Sequence, residues 1–274
     1  VPESDLRRST ALLDELWRMR PAEASGGPGA RLLRRWRERR LVRRLEQEWP
    51  GGFASHRSGD LVYVPHPLDR RGRDALLYPP KAHPAALAFL RPGAVAIDIG
   101  AGLGGWALPF ARAVGASGRV LALEPDPQRA AALDKTLVVN ALRQAEIMRC
   151  SAGDEDGAGA ETPRRRLDSL AAERRLPRLD LVKITVAGAE RRVIEGAGEV
   201  LDRFRPVLVV ETGHEGPGDR PAIHFRLRQL GYRMLGILLE HGMAEAGWPA
   251  YIAQQPPFDA AAPCSLLLIP EEEE

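Results

Sequence analysis

Residues 94–125 read AVAIDIGAGLGGWALPFARAVGASGRVLALEP, and no other stretch restricts the fold as much. An apolar run delivers Asp98 and then glycines at alternate positions, Gly100, Gly102 and Gly104. Apolar residues at helical spacing follow (Trp106, Leu108, Phe110, Ala111, Val114), and a second apolar run ends in Glu124. The order is strand, tight glycine turn, helix, strand, acid. Such a unit brings backbone N–H groups and a helix N-terminus close to a ligand, while an acid at the tip of the second strand can accept hydrogen bonds from both hydroxyls of a ribose. The pattern therefore predicts an adenosine-containing cofactor.

Two cofactors compete for it. Gly100, Gly102 and Gly105 satisfy G-x-G-x-x-G, with Glu124 lying 19 residues beyond Gly105, which fits a dinucleotide. Asp98, two residues before the first glycine, stands where a dinucleotide site normally has an apolar residue. In D-x-G-x-G-x-G a carboxylate organises the glycine loop and helps hold a cationic amino-acid moiety, which favours S-adenosylmethionine. A structural turn without a ligand is the third reading.

After Glu124 the alternation continues. The pattern predicts helix 127–141, strand 145–150, a polar loop, helix 167–175, strand 180–186, helix 188–202, strand 206–211, a helix near 220–230, a strand over GYRMLGILL and a final strand over CSLLLI. Strands buried on both faces and separated by helices imply an α/β, doubly wound, mainly parallel sheet of seven strands. No helix is evident between the last two strands, so they are expected to pair antiparallel.

The N-terminal part differs in charge. Residues 31–49 carry eight arginines against Glu38, Glu46 and Glu48, although the whole chain of 274 residues is only +2. Leu32, Leu33, Trp36, Val42, Leu45 and Trp49 recur at spacings that give this basic helix one apolar face. A first helix with Leu6, Leu12, Leu13, Leu16 and Trp17 is expected before it, and GGFASHRSGDLVYV reads as a hairpin around Ser58, Gly59 and Asp60. The expected organisation is an extension over 1–80, an α/β domain over 81–270 and an acidic tail over 271–274. The arginines read either as a solvated face or as a dock for an acidic substrate, a carrier protein or a membrane surface. Nucleic acid is disfavoured because no aromatic-interleaved binding module accompanies the charge. No apolar window is long enough to span a bilayer and the N-terminus lacks a signal-like core, so the expected location is cytoplasmic. Cys150 and Cys264 lie far apart without a C-x-x-C partner, and the histidines show no ligand spacing, so no metal site is expected.

The segments AIDIGAGLGGWALPFA, VLALEPDPQ, SAGDEDG, RLDSL, LDLVKITVAGAERRVIEGAGEVL and RPVLVVE followed by LGY, in that order, resemble the FkbM-type family of S-adenosylmethionine-dependent methyltransferases from about Ala85 to Tyr232. The resemblance implies a Rossmann-like methyltransferase fold and methylation of a hydroxyl on a sugar, polyketide, other secondary metabolite or carrier-bound intermediate. By the same resemblance, Asp98, Gly100, Ala101 and Gly102 line the methionine end of the donor. Glu124, followed by Pro125, holds its ribose, and Ser151, Ala152 and Asp154 lie at the adenine edge.

The likeness breaks in the fourth strand of the unit. There the family reads K-I-D-V-E-G-A-E, and this chain reads Lys183-Ile184-Thr185-Val186-Ala187-Gly188-Ala189-Glu190. A threonine hydroxyl is neither a proton acceptor at neutral pH nor a strong ligand for a hard cation. Catalytic candidates are then Thr185 itself and the loop after the next strand, where His214 could act as general base with Glu211 or Glu215 to orient it. Glu190 reads as an acid favoured by a helix N-terminus. Trp248 and Tyr251 could cover the acceptor. Two rival readings stay open: a donor-binding scaffold that no longer catalyses and uses the arginine-rich helix to engage a partner, and a nicotinamide oxidoreductase.

Overall fold

The first two strands, β1 (Gly52–Ser55) and β2 (Leu61–Val64), form a hairpin, paired antiparallel with Phe53 opposite Tyr63. The computed structural model describes residues 13, 36, 39, 40, 42–49, 51–55, 59–65, 70–77, 82–159, 162–216, 218–239, 242–255, 258 and 264–271. The expected first helix, apart from Leu13, lies outside the described residues, as do His56, His66, His241 and the tail beyond Glu271.

The remaining strands are β3 (Val95–Ile99), β4 (Arg119–Leu123), β5 (Ala145–Met148), β6 (Ser151–Ala152), β7 (Arg164–Arg165), β8 (Leu181–Ile184), β9 (Val207–Thr212), β10 (Tyr232–Leu239), β11 (Gly242–Ala244) and β12 (Cys264–Pro270). The main sheet runs β11-β10-β12-β9-β8-β3-β4-β5. Five neighbouring strands, β9, β8, β3, β4 and β5, are parallel, and β12 is inserted antiparallel between β9 and β10. The chain leaves β3 in one direction through β4 and β5, then returns to β8 on the other side, so the topological switch point falls between β3 and β8.

The sheet has eight strands instead of the expected seven, because β11 adds a short edge strand against the end of β10. A short helix, Trp248–Ile252, stands between the last strands where none is evident from the sequence pattern. Its five residues are too few for a periodic signal, and Pro249 at its start hides it further.

Alternate residues of the buried strands feed two cores. Val95, Ile97 and Ile99 face one side with Val182, Ile184 and Tyr251; Ala96 faces the other with Phe110, Val114 and Leu181. The expected helix over 188–202 is broken into Glu190–Glu195 and Gly198–Phe204. At Gly196 an added Cβ would lie 1.9 Å from the Gly153 carbonyl oxygen, so the chain bends there to pack against the loop after β5. Buried Asp168, from the RLDSL segment, accepts the Val200 N–H at 3.0 Å and so caps the second helix. Tyr232 donates its hydroxyl to the Pro206 carbonyl at 3.0 Å, which gives the LGY segment its structural reason.

The N-terminal extension is joined to the donor half of the sheet. Tyr63 N–H donates to Thr136 Oγ1 at 2.9 Å on helix Pro127–Val139, and Leu61 N–H to Oδ1 of its C-cap Asn140 at 3.0 Å. Arg112 pairs with Asp60 at 2.6 Å. Leu45, Trp49, Val64 and Leu76 form a third apolar cluster that includes Leu103 of the glycine turn.

Candidate active site

Because β3, β4, β5, β8 and β9 are parallel, their C-terminal tips lie along one sheet edge, and these tips carry nearly every residue singled out in the sequence. Gly100 has φ +76°, and an added Cβ would lie 2.0 Å from the Thr185 carbonyl oxygen. Only glycine allows this turn to approach the tip of β8 so closely. Gly100 and Ala101 N–H groups donate to the Leu123 carbonyl at 2.9 and 3.0 Å, which fixes the turn to β4. Gly102 has φ +57°, and its added Cβ would meet nothing within 4 Å, so the turn presents backbone to open space there.

The two acids that flank the turn serve it from inside. Glu124 is 1% exposed; its Oε2 accepts the Gly102 N–H at 2.7 Å and its Oε1 the Asp126 N–H at 3.0 Å. Arg129 stands 3.6 Å away. A carboxylate has about four lone-pair sites, so acceptor capacity remains beyond these two N–H bonds. Asp98 is wholly buried, with Lys183 Nζ 3.2 Å from Oδ1 and no aligned hydrogen-bond donor on either oxygen. Burial raises its carboxyl above the usual range, and the neighbouring ammonium opposes that rise. Lys183 also donates to the Gly100 carbonyl at 3.3 Å. Lys183, an ionisable residue inside an apolar strand, belongs to the K-I-T-V-A-G-A-E segment, and only its place beside Asp98 gives it a role.

At the tip of β8, Thr185 Oγ1 donates to Glu211 Oε2 at 3.3 Å, since parallel pairing of β8 with β9 brings the two tips side by side. Thr185 and Glu211 are thus brought together as neighbours. His214 is different: it is exposed, and its backbone packs against Gly188. The expected orientation of His214 by an acid is not found among the described residues. Glu211 is bonded to Thr185, while the Glu215 side chain, 2% exposed, accepts from Tyr251 Oη at 3.0 Å and from the Gly213 N–H, beside Arg220. Tyr251 is fully buried, so it ties the loop instead of covering a substrate.

Glu190 lies in the first turn of its helix, as expected, but its carboxylate accepts the Val186 and Gly188 N–H groups at 3.1 and 2.9 Å, holding the bend that follows β8. Burial pushes its carboxyl up. In that bend Ala187 has φ +50°, a left-handed conformation that is costly for a side chain with a Cβ. Past β5, Ser151 and Ala152 form β6 against β7, and Asp154 is exposed on the following turn. Ser151 N–H donates to the Pro163 carbonyl. Pro125 follows Glu124 at the mouth of β4.

Residues 143–234 match the family described as the methyltransferase FkbM domain. The resemblance drawn from the sequence is borne out over that segment, and with it a methyltransferase. No curated protein matches the chain. Among solved structures, a methyltransferase FkbM from Methylobacillus flagellatus KT is 15% identical over 72% of this chain and 52% of its own, with a TM-score of 0.48. This chain therefore spans about half of that protein. A precorrin-6y C5,15-methyltransferase from Geobacter metallireducens GS-15 is 16% identical over 69% and 86% of the two chains, with a TM-score of 0.44. A SAM-dependent O-methyltransferase from Thermotoga maritima is 14% identical over 85% and 83%, with a TM-score of 0.44. Among the described residues, no helix is long and apolar enough to cross a membrane.

Proposed function

We propose that the chain methylates a hydroxyl oxygen of a small-molecule or carrier-bound acceptor, with Glu211 taking the acceptor proton. The observation that carries this reading is the Thr185–Glu211 pair at the adjoining tips of β8 and β9, 3.3 Å apart, with the Thr185 carbonyl against the glycine turn. The carboxylate absent from position 185 is supplied by the adjacent strand.

The residues fit the donor on two features of the structure: the open space at the Gly102 backbone, and the spare acceptor capacity of Glu124. When bound, S-adenosylmethionine supplies a methyl group activated on a sulfonium. Gly100, Ala101 and Gly102 shape the wall for its methionine end, Glu124 and Pro125 face its ribose, and Ser151, Ala152 and Asp154 border its adenine. Asp98 acts through the turn it supports, since its oxygens are shielded by the strands. Methyl transfer is a displacement in line, so positioning and water exclusion supply much of the acceleration. Thr185 orients the Glu211 carboxylate by donating to it, which leaves the other oxygen, Oε1, to accept the acceptor hydroxyl's proton.

The test is homocysteine-product formation with a panel of hydroxylated acceptors. Glu211→Gln should lower turnover about 100-fold or more, the scale of a lost general base, while S-adenosylhomocysteine still raises the melting temperature. Unchanged turnover in that variant would remove Glu211 as the base. The second reading, a donor-binding scaffold, draws on Ala187 standing where the resemblance expects an acid. It gains if neither the native chain nor Thr185→Asp combined with Ala187→Glu turns over any acceptor. Stabilisation by NAD in preference to S-adenosylhomocysteine would end both readings.

A further inference from the structure

The described arginines of the basic segment, Arg39, Arg40, Arg43 and Arg44, are helical, as are positions 36, 42 and 45–48. Leu45 and Trp49 are 0% and 1% exposed and pack into the cluster that includes Leu103, which fixes the inward face. On a helix of about 3.6 residues per turn, Trp36 lies opposite Leu45, and Arg39, Arg40 and Arg43 follow it at i+3, i+4 and i+7 on the outward side. All four are exposed, and Trp36 is 57% exposed. The Arg40 guanidinium stands 5.8 Å from the Trp36 ring centroid and steadies an indole that would otherwise be loose in water.

The described acids of the same segment, Glu46 and Glu48, are already paired. Glu48 binds Arg44 at 2.7 Å, and Glu46 binds Arg73. Among the described residues Arg39 and Arg43 have no acidic partner, and the outward stripe contains no acid. A solvated face alone accounts for the arginines but not for a large aromatic ring held among them.

We propose that this stripe docks the protein on an anionic lipid surface, with Trp36 at the headgroup level and Arg39, Arg40 and Arg43 against phosphate and carboxylate groups. Indole rings favour the membrane–water interface, and basic side chains on the polar side of a surface-lying helix are attracted to anionic lipid. The inference stands independently of the acceptor and of the proposed base. It orients the chain so that the helix lies between the lipid surface and the cluster containing Leu103, which places the glycine turn on the inner side of the docked face.

The experiment uses the full chain with vesicles of phosphatidylcholine alone or containing about 30% phosphatidylserine, at about 0.05 and 0.3 M salt, where screening differs strongly. Sedimentation and tryptophan emission should show binding and a blue shift only with the anionic vesicles, weakening at the higher salt. Arg39→Gln, Arg40→Gln and Arg43→Gln combined should weaken partitioning about 100-fold, at roughly five-fold per cation. Trp36→Ser should remove the blue shift. These sites are exposed, and an unchanged melting temperature confirms that the variants fold. Equal binding to neutral vesicles, no binding to anionic vesicles at low salt, or full binding by the triple variant overturns the proposal. Retention by polyglutamate without vesicle binding overturns it in favour of an acidic protein partner.

Discussion

Lys183→Met isolates the ion pair beneath the glycine turn. Lys183 is 5% exposed and Asp98 fully buried, so the substitution leaves a carboxylate in the apolar interior without its cation. Breaking a buried pair from one side costs about 3–5 kcal/mol, and for a chain of this size that corresponds to a melting temperature lower by roughly 10 °C or more. Asp98→Asn combined with Lys183→Met removes both charges and should recover more than half of the loss, which a double-mutant cycle measures. The pH dependence has a definite sign. Burial raises the Asp98 carboxyl, and Lys183 is the group that holds it down, so removing the lysine raises it further. A carboxyl raised on folding contributes most below its unfolded value of about 3.9, and that contribution is lost as pH rises through the folded value. The stability gap between native protein and Lys183→Met should therefore narrow as pH falls and the Asp98 carboxyl becomes protonated in both proteins. Urea unfolding at several pH values reads it directly. A loss under 1 kcal/mol, or a gap that does not change with pH, would refute the assignment of Asp98 and Lys183 as a coupled internal pair.

Glycine substitutions separate architecture from donor contact. Gly102→Ala faces open space, so it should cost only about 1–2 kcal/mol for its left-handed φ yet abolish the stabilisation by S-adenosylhomocysteine, which at about 100 times the dissociation constant is roughly 2.7 kcal/mol. Retained ligand stabilisation in Gly102→Ala would refute a donor at that turn. Gly100→Ala meets the Thr185 carbonyl and should cost more stability than Gly102→Ala in the same melting assay. Ala187→Gly should gain about 0.5–1 kcal/mol in urea unfolding by relieving its φ of +50°. His214→Ala should leave turnover unchanged, because the acids nearest it in sequence are bonded elsewhere; a large loss would restore His214 as the base.

Local chemistry by itself determined the order of elements. Alternating apolar runs and helical spacing fixed the strand identities of β3, β4, β5, β8, β9 and β10 and the helices between them, though not the short β6 and β7, and the alternate glycines fixed a turn whose positive φ values at Gly100, Gly102 and Gly104 are properties of single residues. Asp126 and Pro127 at the start of the helix after β4 act equally locally, with Asp126 accepting the Gln128 and Arg129 N–H groups at 2.9 Å. Tertiary structure alone decided which charges meet. Asp98 faces Lys183 because β3 and β8 pair in that register across the switch point, and Thr185 meets Glu211 because β8 and β9 end together. Glu215 lies one residue beyond His214 but spends its oxygens on Gly213 and on Tyr251 from the far side of the final loop. Periodicity and backbone preference act over a few neighbouring residues, whereas a charge takes whichever partner the packed register sets within a few ångströms.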